Sequence, residues 1–206
     1  METIRPADYS KISEEVAEYK KTAEANEIPV APDEVIDLIS VFIECTGAKK
    51  ILEIGTAVGV SAMMMACSAG SGCKVTTVER DDASYIKASS NVIKFGLSDS
   101  IECIHGEAAE FLKNDSSEYD LIFLDCAKAQ YPRLLDDCAR LLKKSGVLIA
   151  DDVNFRGMVD GSSKTQRRKA TIVKRLREFL GGLDSRDDLI SSVLDIGEGV
   201  SVSIKL

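Results

Sequence analysis

The 206-residue chain is first described by what it lacks. No apolar run approaches the roughly 20 residues that a membrane-spanning helix needs. The opening "METIRPADYSK" is polar, so no secretory segment is expected, and the reading is a cytoplasmic protein with no membrane partner. Six cysteines stand at 45, 67, 73, 103, 126 and 138, and no two form a C-x-x-C pair. Several sit in apolar surroundings. Free thiols in a reducing compartment explain them better than disulfides or zinc. There is no internal repeat and no low-complexity segment. The Gly-x-Gly-x-x-Gly of dinucleotide enzymes is missing, which counts against an NAD-dependent oxidoreductase. His105 is the only histidine, and no serine or cysteine is arranged with it as a nucleophile pair. A wall or packing role is expected for it. Positive charge is in deficit, giving a net charge of −8. That argues against non-specific nucleic-acid or membrane binding by the whole surface, but leaves room for one basic patch.

What is present suits one soluble domain with a full-sized core, at 45% hydrophobic and 29% charged residues. Residues 1–47 read as a helical cap segment. "SKISEEVAEYKKTAEAN" has helical composition, "EIPVAP" breaks it, and "DEVIDLISVFIECTG" is an amphipathic helix ending at Gly47. Residues 48–157 read as the core. Short apolar strands, "ILEIG", "VTTVE", "IECIHG", "LIFLD" and "GVLIAD", alternate with helical stretches, which predicts a parallel sheet with crossover helices. Residues 158–206 read as a basic helix, "KTQRRKATIVKRLREFL", ended by Gly181 and Gly182. An antiparallel hairpin around "IGEG" then closes one sheet edge.

Ligands of open parallel sheets bind beyond the carboxyl ends of the strands. Nearly every strand here ends in an acid. The first turn, "EIGTAVGVS", is Gly-x-x-x-Gly, which lets a ligand approach the backbone and a helix N-terminus. Glu79 ends the second strand, where an acid can accept hydrogen bonds from a ribose diol. Glu53 beside the first turn is awkward for a pyrophosphate and suits a cationic ligand such as S-adenosylmethionine. Asp125 ends one strand and Asp151 and Asp152 end the next. If those strands are neighbours, three carboxylates converge, and they repel unless protons or a cation hold them. All-oxygen ligands point to a hard cation, most simply Mg²⁺. Lys128 lies three residues beyond Asp125, at the start of the next helix. Near a metal and a sulfonium its pKa should fall, making it a candidate general base.

"ILEIGTAVGVSA", "VTTVER", "YDLIFLDCAKAQYP" and "GVLIADDVNFRG", in this order and spacing, resemble the metal-dependent S-adenosylmethionine O-methyltransferases. That group holds the catechol and caffeoyl-CoA O-methyltransferases and their bacterial relatives. The resemblance runs over residues 28–157 and more weakly through the hairpin. It implies a Rossmann-like class I methyltransferase fold of the α/β class. Such a fold is a mostly parallel seven-stranded sheet closed by an antiparallel C-terminal hairpin, with helices on both faces. It implies that Glu53, Gly55, Thr56, Ser61, Glu79 and Arg80 hold the methionine and ribose parts of the cofactor. Glu107 and Ala108 would line the adenine, and Ala31 and Asp125 would also approach the cofactor. It further implies that Asp125, Asp151 and Asp152 hold the metal, with Lys128 as base.

Three positions depart from the family's pattern. Asp152 stands where the family usually has Asn, adding a negative charge. Glu107 stands where Asp or a small residue is usual. "CAKAQ" after Asp125 lacks the aromatic gatekeeper of animal catechol enzymes. The acceptor implied is a hydroxyl with an adjacent oxygen, as in a catechol-like small molecule. The alternative is 5-hydroxyuridine at the tRNA wobble position, which some bacterial relatives methylate. Residues 164–177 hold seven basic residues and no acid, and Lys164, Arg167, Arg168 and Lys169 would meet tRNA phosphates. A homodimer is expected, because the family is often dimeric. A reading from another class is a non-enzymatic nucleotide- or metabolite-binding protein on the same kind of sheet.

Overall fold

The computed structural model describes residues 8–206. Residues 1–7, and with them most of the polar opening, lie outside the described residues. Five nearly continuous apolar runs form parallel strands: β1 (Lys50–Ile54), β2 (Lys74–Glu79), β3 (Ile101–His105), β4 (Tyr119–Leu124) and β5 (Leu142–Ala150). The hairpin is β6 (Leu189–Leu194) and β7 (Val200–Lys205). The strand order is β3-β2-β1-β4-β5-β7-β6. β7 pairs antiparallel with β5 and leaves β6 outermost. The sheet is therefore the seven-stranded, mostly parallel one expected from the sequence.

Burial on both faces explains the unbroken hydrophobic runs. Ile51, Leu121, Phe123, Val147 and Ile149 pack with α1 (Tyr9–Ala25), α2 (Asp33–Thr46) and α3 (Val60–Ala69). Leu52, Ile54, Ile122, Leu124 and Leu148 turn the other way. They meet α5 (Ala108–Asn114), α6 (Tyr131–Leu141) and α7 (Ala170–Asp184). Each such side chain contributes roughly 1.5–3 kcal/mol by leaving water. α1 is tied to its own chain, with Tyr9 bonded to Ser100 at 3.0 Å and Tyr19 accepting from Asn91 at 2.9 Å. α2 stops at Gly47 in the left-handed region, as expected. α4 (Asp82–Lys94) is capped by Asp81, whose carboxylate accepts from the Ser84 N–H at 2.9 Å.

Two sequence expectations need correction. The basic segment is not one helix ending at Gly181 and Gly182. Arg167–Lys169 is a single 3-10 turn, α7 begins at Ala170, and it runs through both glycines to Asp184. A Cβ on Gly182 would come within 2.9 Å of the Leu135 side chain, so the glycine serves close packing of α7 on α6. Phe179 and Leu183 continue the buried stripe across it. Lys128 does not open an α-helix either. It begins the 3-10 turn Lys128–Gln130, and α6 starts at Tyr131 with Pro132 in its first turn, where a missing N–H does no harm.

No described helix is long and apolar enough to cross a membrane. All six cysteines are free. The sheet order reverses at β1, which has β2 on one side and β4 on the other, so the crevice for a ligand opens at the carboxyl ends of these strands.

Candidate active site

The site is built on the contact between the ends of β1 and β4. The Asp125 N–H donates to the Ile54 carbonyl at 2.9 Å. Gly55, at φ +98°, lies so close that a Cβ there would sit 2.2 Å from the Asp125 carbonyl oxygen. Only glycine fits this position. Glu79 then ties the first turn to the second. Its Oε2 accepts from the N–H groups of Thr56 and Ala57 at 3.1 and 3.0 Å. Its Oε1 accepts from those of Arg80 and Asp81 at 2.9 Å each.

A cavity of about 300 Å³ opens over these turns, lined by Gly55, Glu79, Arg80, Glu107, Ala108 and Asp125. Asp81, Ala127 and Gln130 also line it; the last two belong to the "CAKAQ" segment, and nothing in the sequence marks Asp81. A cavity of about 30 Å³ adjoins it through Gly55, Ala57 and Asp125. Ala31, Thr56 and Ser61 line that one, with Pro29 and Val30 beside them. Arg80 and Arg133 flank Glu107 at 4.0 and 3.9 Å. The structure thus brings together every residue expected at the cofactor except Glu53. His105 is not in this wall. It stacks on Tyr85 and lies 3.0 Å from Asp82.

Glu53 lies behind the wall and is fully buried on the α1–α3 face of the sheet. Its Oε2 accepts from Thr77 at 2.5 Å, and Thr77 meets Thr56 at 2.5 Å. Among the described residues no hydrogen-bond partner within normal distance reaches its Oε1. Burial pushes its carboxyl up to about 8, against the pull of the Ser61 and Thr77 hydroxyls. Burial therefore favours its neutral form.

The acidic residues gather at the next strand ends, since β4 and β5 are neighbours. The Lys128 ammonium donates to Asp125 Oδ1 at 2.6 Å and lies 3.2 Å from Asp152 Oδ2. It also donates to the Tyr131 hydroxyl at 3.1 Å. That hydroxyl is 2.9 Å from the Leu124 carbonyl and 3.1 Å from the Asp151 carbonyl, so it clamps the ends of β4 and β5. Asp151 is 2% exposed, and its Oδ1 accepts from the Asp152 N–H at 2.7 Å. Burial first, then the charges of Asp125 and Asp152, raise its carboxyl to about 7. Asp152 sits at φ +56°, a conformation that Asn and Asp tolerate best among residues with a side chain. Backbone geometry therefore admits Asp where the family has Asn.

The fall expected of the Lys128 pKa is one beside a metal and a sulfonium; the protein's own groups shift it the other way. Burial pushes it down, but Tyr131, Asp125 and Asp152 outweigh burial and hold it well above the ordinary lysine value. The ammonium is itself the counter-charge of the acidic cluster. The donor chemistry, three carboxylates at two adjoining strand ends, fits a hard divalent cation. The side-chain arrangement is not preset for one. Among the described residues no group of three or more His, Cys, Asp or Glu side chains is gathered as a metal centre. Lys128 stands between Asp125 and Asp152 instead.

A Rossmann-like sheet with a glycine turn, an acid at the end of β2 and this acidic edge defines a class I methyltransferase. The O-methyltransferase family model matches residues 5–206, and the chain belongs to that family. It is an S-adenosylmethionine-dependent O-methyltransferase of the caffeoyl-CoA and catechol type. It is 26% identical to a caffeoyl-CoA O-methyltransferase of Populus kitakamiensis, over 98% of this chain and 88% of the relative. It is 25% identical to a catechol O-methyltransferase of Niastella koreensis, over 86% of this chain and 82% of the relative. Among solved structures, a proposed caffeoyl-CoA O-methyltransferase from Staphylococcus aureus superposes with a TM-score of 0.86 at 32% identity. That match covers 93% of this chain and 92% of the other. An O-methyltransferase from Bacillus cereus, solved with S-adenosylhomocysteine, shares the fold with a TM-score of 0.81 at 24% identity, covering 99% and 94%.

Proposed function

We propose that this chain methylates a hydroxyl that carries a second oxygen on the adjacent carbon, as in a catechol-like small molecule, with help from Mg²⁺ or a similar cation. The observation that carries the reading is the Lys128 ammonium bonded to Asp125 beside the cavity walled by Gly55 and Glu79. Asp125, Asp151 and Asp152 are the residues that would hold the cation, which when bound makes the acceptor hydroxyl a stronger acid. The glycine turn and Glu79 position the methyl donor, and Asp125 borders both cavities, where donor and acceptor meet. In the transfer the sulfur–methyl bond breaks as the oxygen–methyl bond forms, and the sulfonium becomes a thioether. The hydroxyl proton goes to Lys128. Because Lys128 starts charged, it would first release its own proton to solvent, which positive charge entering beside it favours.

Calorimetry with S-adenosylhomocysteine and NAD tests the donor. Tight binding of the first and none of the second is expected, and failure to bind S-adenosylhomocysteine refutes the reading. Turnover of a vicinal diol should fall on chelation and return with magnesium. Activity that neither treatment changes rejects the cation.

A second reading is favoured by the basic run outside the helix. Arg168 and Lys169 line a cleft with Phe155 and Arg156 of the loop that follows Asp152, Lys164 and Arg167 are near them in the chain, and a 5-hydroxyuridine at the tRNA wobble position has the required adjacent oxygens. Reversing Arg167, Arg168 and Lys169 to Glu should abolish tRNA methylation and spare small catechols. Undiminished methylation of tRNA by that variant would reject it.

A further inference from the structure

Among the described residues three side-chain oxygens surround the Lys128 nitrogen. They are Asp125 Oδ1 at 2.6 Å, the Tyr131 hydroxyl at 3.1 Å and Asp152 Oδ2 at 3.2 Å. An ammonium carries three N–H donors, so each has an oxygen to meet. The three oxygens are not alike. Asp125 and Asp152 are carboxylates at the strand ends, of the kind a hard cation takes, and the tyrosine hydroxyl is not. A lysine held by carboxylates alone would lose its hold whenever they turned to another cation, because its stem is a flexible four-carbon chain.

Tyr131 is the oxygen that the main chain fixes. Its ring is fully buried on the α5–α7 side of the sheet and meets Phe179 of α7 edge-on, with centroids 5.2 Å apart. Its hydroxyl has one hydrogen. The Leu124 and Asp151 carbonyls, at 2.9 and 3.1 Å, take that hydrogen and leave the oxygen lone pairs for Lys128. A hydroxyl free to rotate could equally turn its hydrogen towards the ammonium and repel it. The ends of β4 and β5 therefore set the direction in which Tyr131 accepts. The spacing helps, because Lys128 opens the 3-10 turn and Tyr131 follows it as the first residue of α6.

We propose that Tyr131 is a positioning residue for Lys128. Its hydroxyl, oriented by the two strand-end carbonyls, holds the lysine nitrogen beside Asp125 through a bond that does not depend on the carboxylates. The catalytic consequence rests on the reading of Lys128 as the base, while the placement of the nitrogen belongs to the ligand-free protein. A base displaced by about 1 Å can cost about 100-fold in rate, so an uncharged anchor at this point matters for turnover.

The test is a pair of double-mutant cycles on the full chain, with wild type, Tyr131→Phe, Lys128→Met and the double variant. Phenylalanine keeps the ring against Phe179 and removes only the hydroxyl. The first cycle is urea denaturation without ligand. Tyr131→Phe should raise the unfolding constant at least about 3-fold more in wild type than in the Lys128→Met background, where no ammonium remains to be held. The second cycle is turnover of a vicinal diol. Tyr131→Phe should lower kcat about 10- to 100-fold, with KM and S-adenosylhomocysteine affinity within a few fold of wild type. In the Lys128→Met background the same change should alter kcat by less than about 2-fold. Equal effects of Tyr131→Phe on unfolding in both backgrounds overturn the inference, since the tyrosine then acts on the strand ends alone. An undiminished kcat in Tyr131→Phe, or the same fold-loss with and without Lys128, overturns it too. Full turnover by Lys128→Met is a separate result. It withdraws the base reading and the catalytic consequence together, while the unfolding cycle still decides whether Tyr131 holds the nitrogen.

Discussion

Glu53 offers a test that needs no acceptor. Its carboxyl is fully buried, and burial raises its pKa from 4.5 to about 8. The folded protein therefore binds a proton that the unfolded chain releases near pH 4.5. Stability from this group is full below that pH and is lost as pH rises towards 8. At pH 7 the loss spans 7 − 4.5 = 2.5 pH units, and at about 1.4 kcal/mol per unit it amounts to about 3 kcal/mol. Glu53→Gln keeps the shape of the neutral acid and cannot ionise. Urea denaturation of both proteins, free of ligand, at pH 5, 6, 7 and 8 gives the comparison. Wild type should lose about 1.4 kcal/mol per pH unit relative to the variant, and the difference should level off above pH 8. Asp151 titrates in both proteins and cancels. Parallel stability curves would refute a neutral Glu53 and would mean that solvent or another cation reaches its free Oε1.

Three further outcomes follow from the site. Lys128→Met should lower kcat by about 10²- to 10⁴-fold and leave S-adenosylhomocysteine affinity within a few fold, and full turnover would remove Lys128 from proton transfer. Gly55→Ala should cost about 2 kcal/mol or more and lower Tm, because the added Cβ meets the Asp125 carbonyl oxygen at 2.2 Å on a backbone with φ +98°. A variant as stable as wild type would show that the turn can relax. Tyr131→Phe should cost about 1–3 kcal/mol by leaving the Leu124 and Asp151 carbonyls without the hydroxyl they share. An unchanged unfolding free energy would show that Tyr131 does not join the strand ends.

The sheet was legible because its strands are buried on both faces, which writes them as runs such as "LIFL" between turn residues. The glycine turn, Glu79 and the Asp at each of two strand ends were legible because a parallel sheet puts ligands at those ends. The end of α7 was not. Gly181 and Gly182 read as a stop, whereas Gly182 is where Leu135 presses on the helix, and contact across 47 positions leaves no local trace. Tyr131 and Gln130 were missed for a similar reason. "AQYP" reads as the start of a helix, and nothing in it shows that the tyrosine hydroxyl reaches two strand ends. Arg156 was hidden inside "NFRG", where neither its positive φ nor the turn it faces can be read from spacing.

The charge state of Lys128 has a geometric cause. Residue spacing places Lys128 one turn past Asp125, and a lowered pKa is expected of it beside a metal and a sulfonium. The chain instead folds Tyr131, Asp125 and Asp152 around the ammonium, so the ligand-free site carries its own cation. Lys128 offsets Asp125 and Asp152, and burial with those two charges drives the Asp151 carboxyl up to about 7. A family site with Asn in place of Asp152 needs less compensation. Here the extra negative charge deepens the well that keeps Lys128 protonated. If Lys128 is the base proposed above, this pairing is undone before it accepts a proton, and positive charge arriving beside it favours that release.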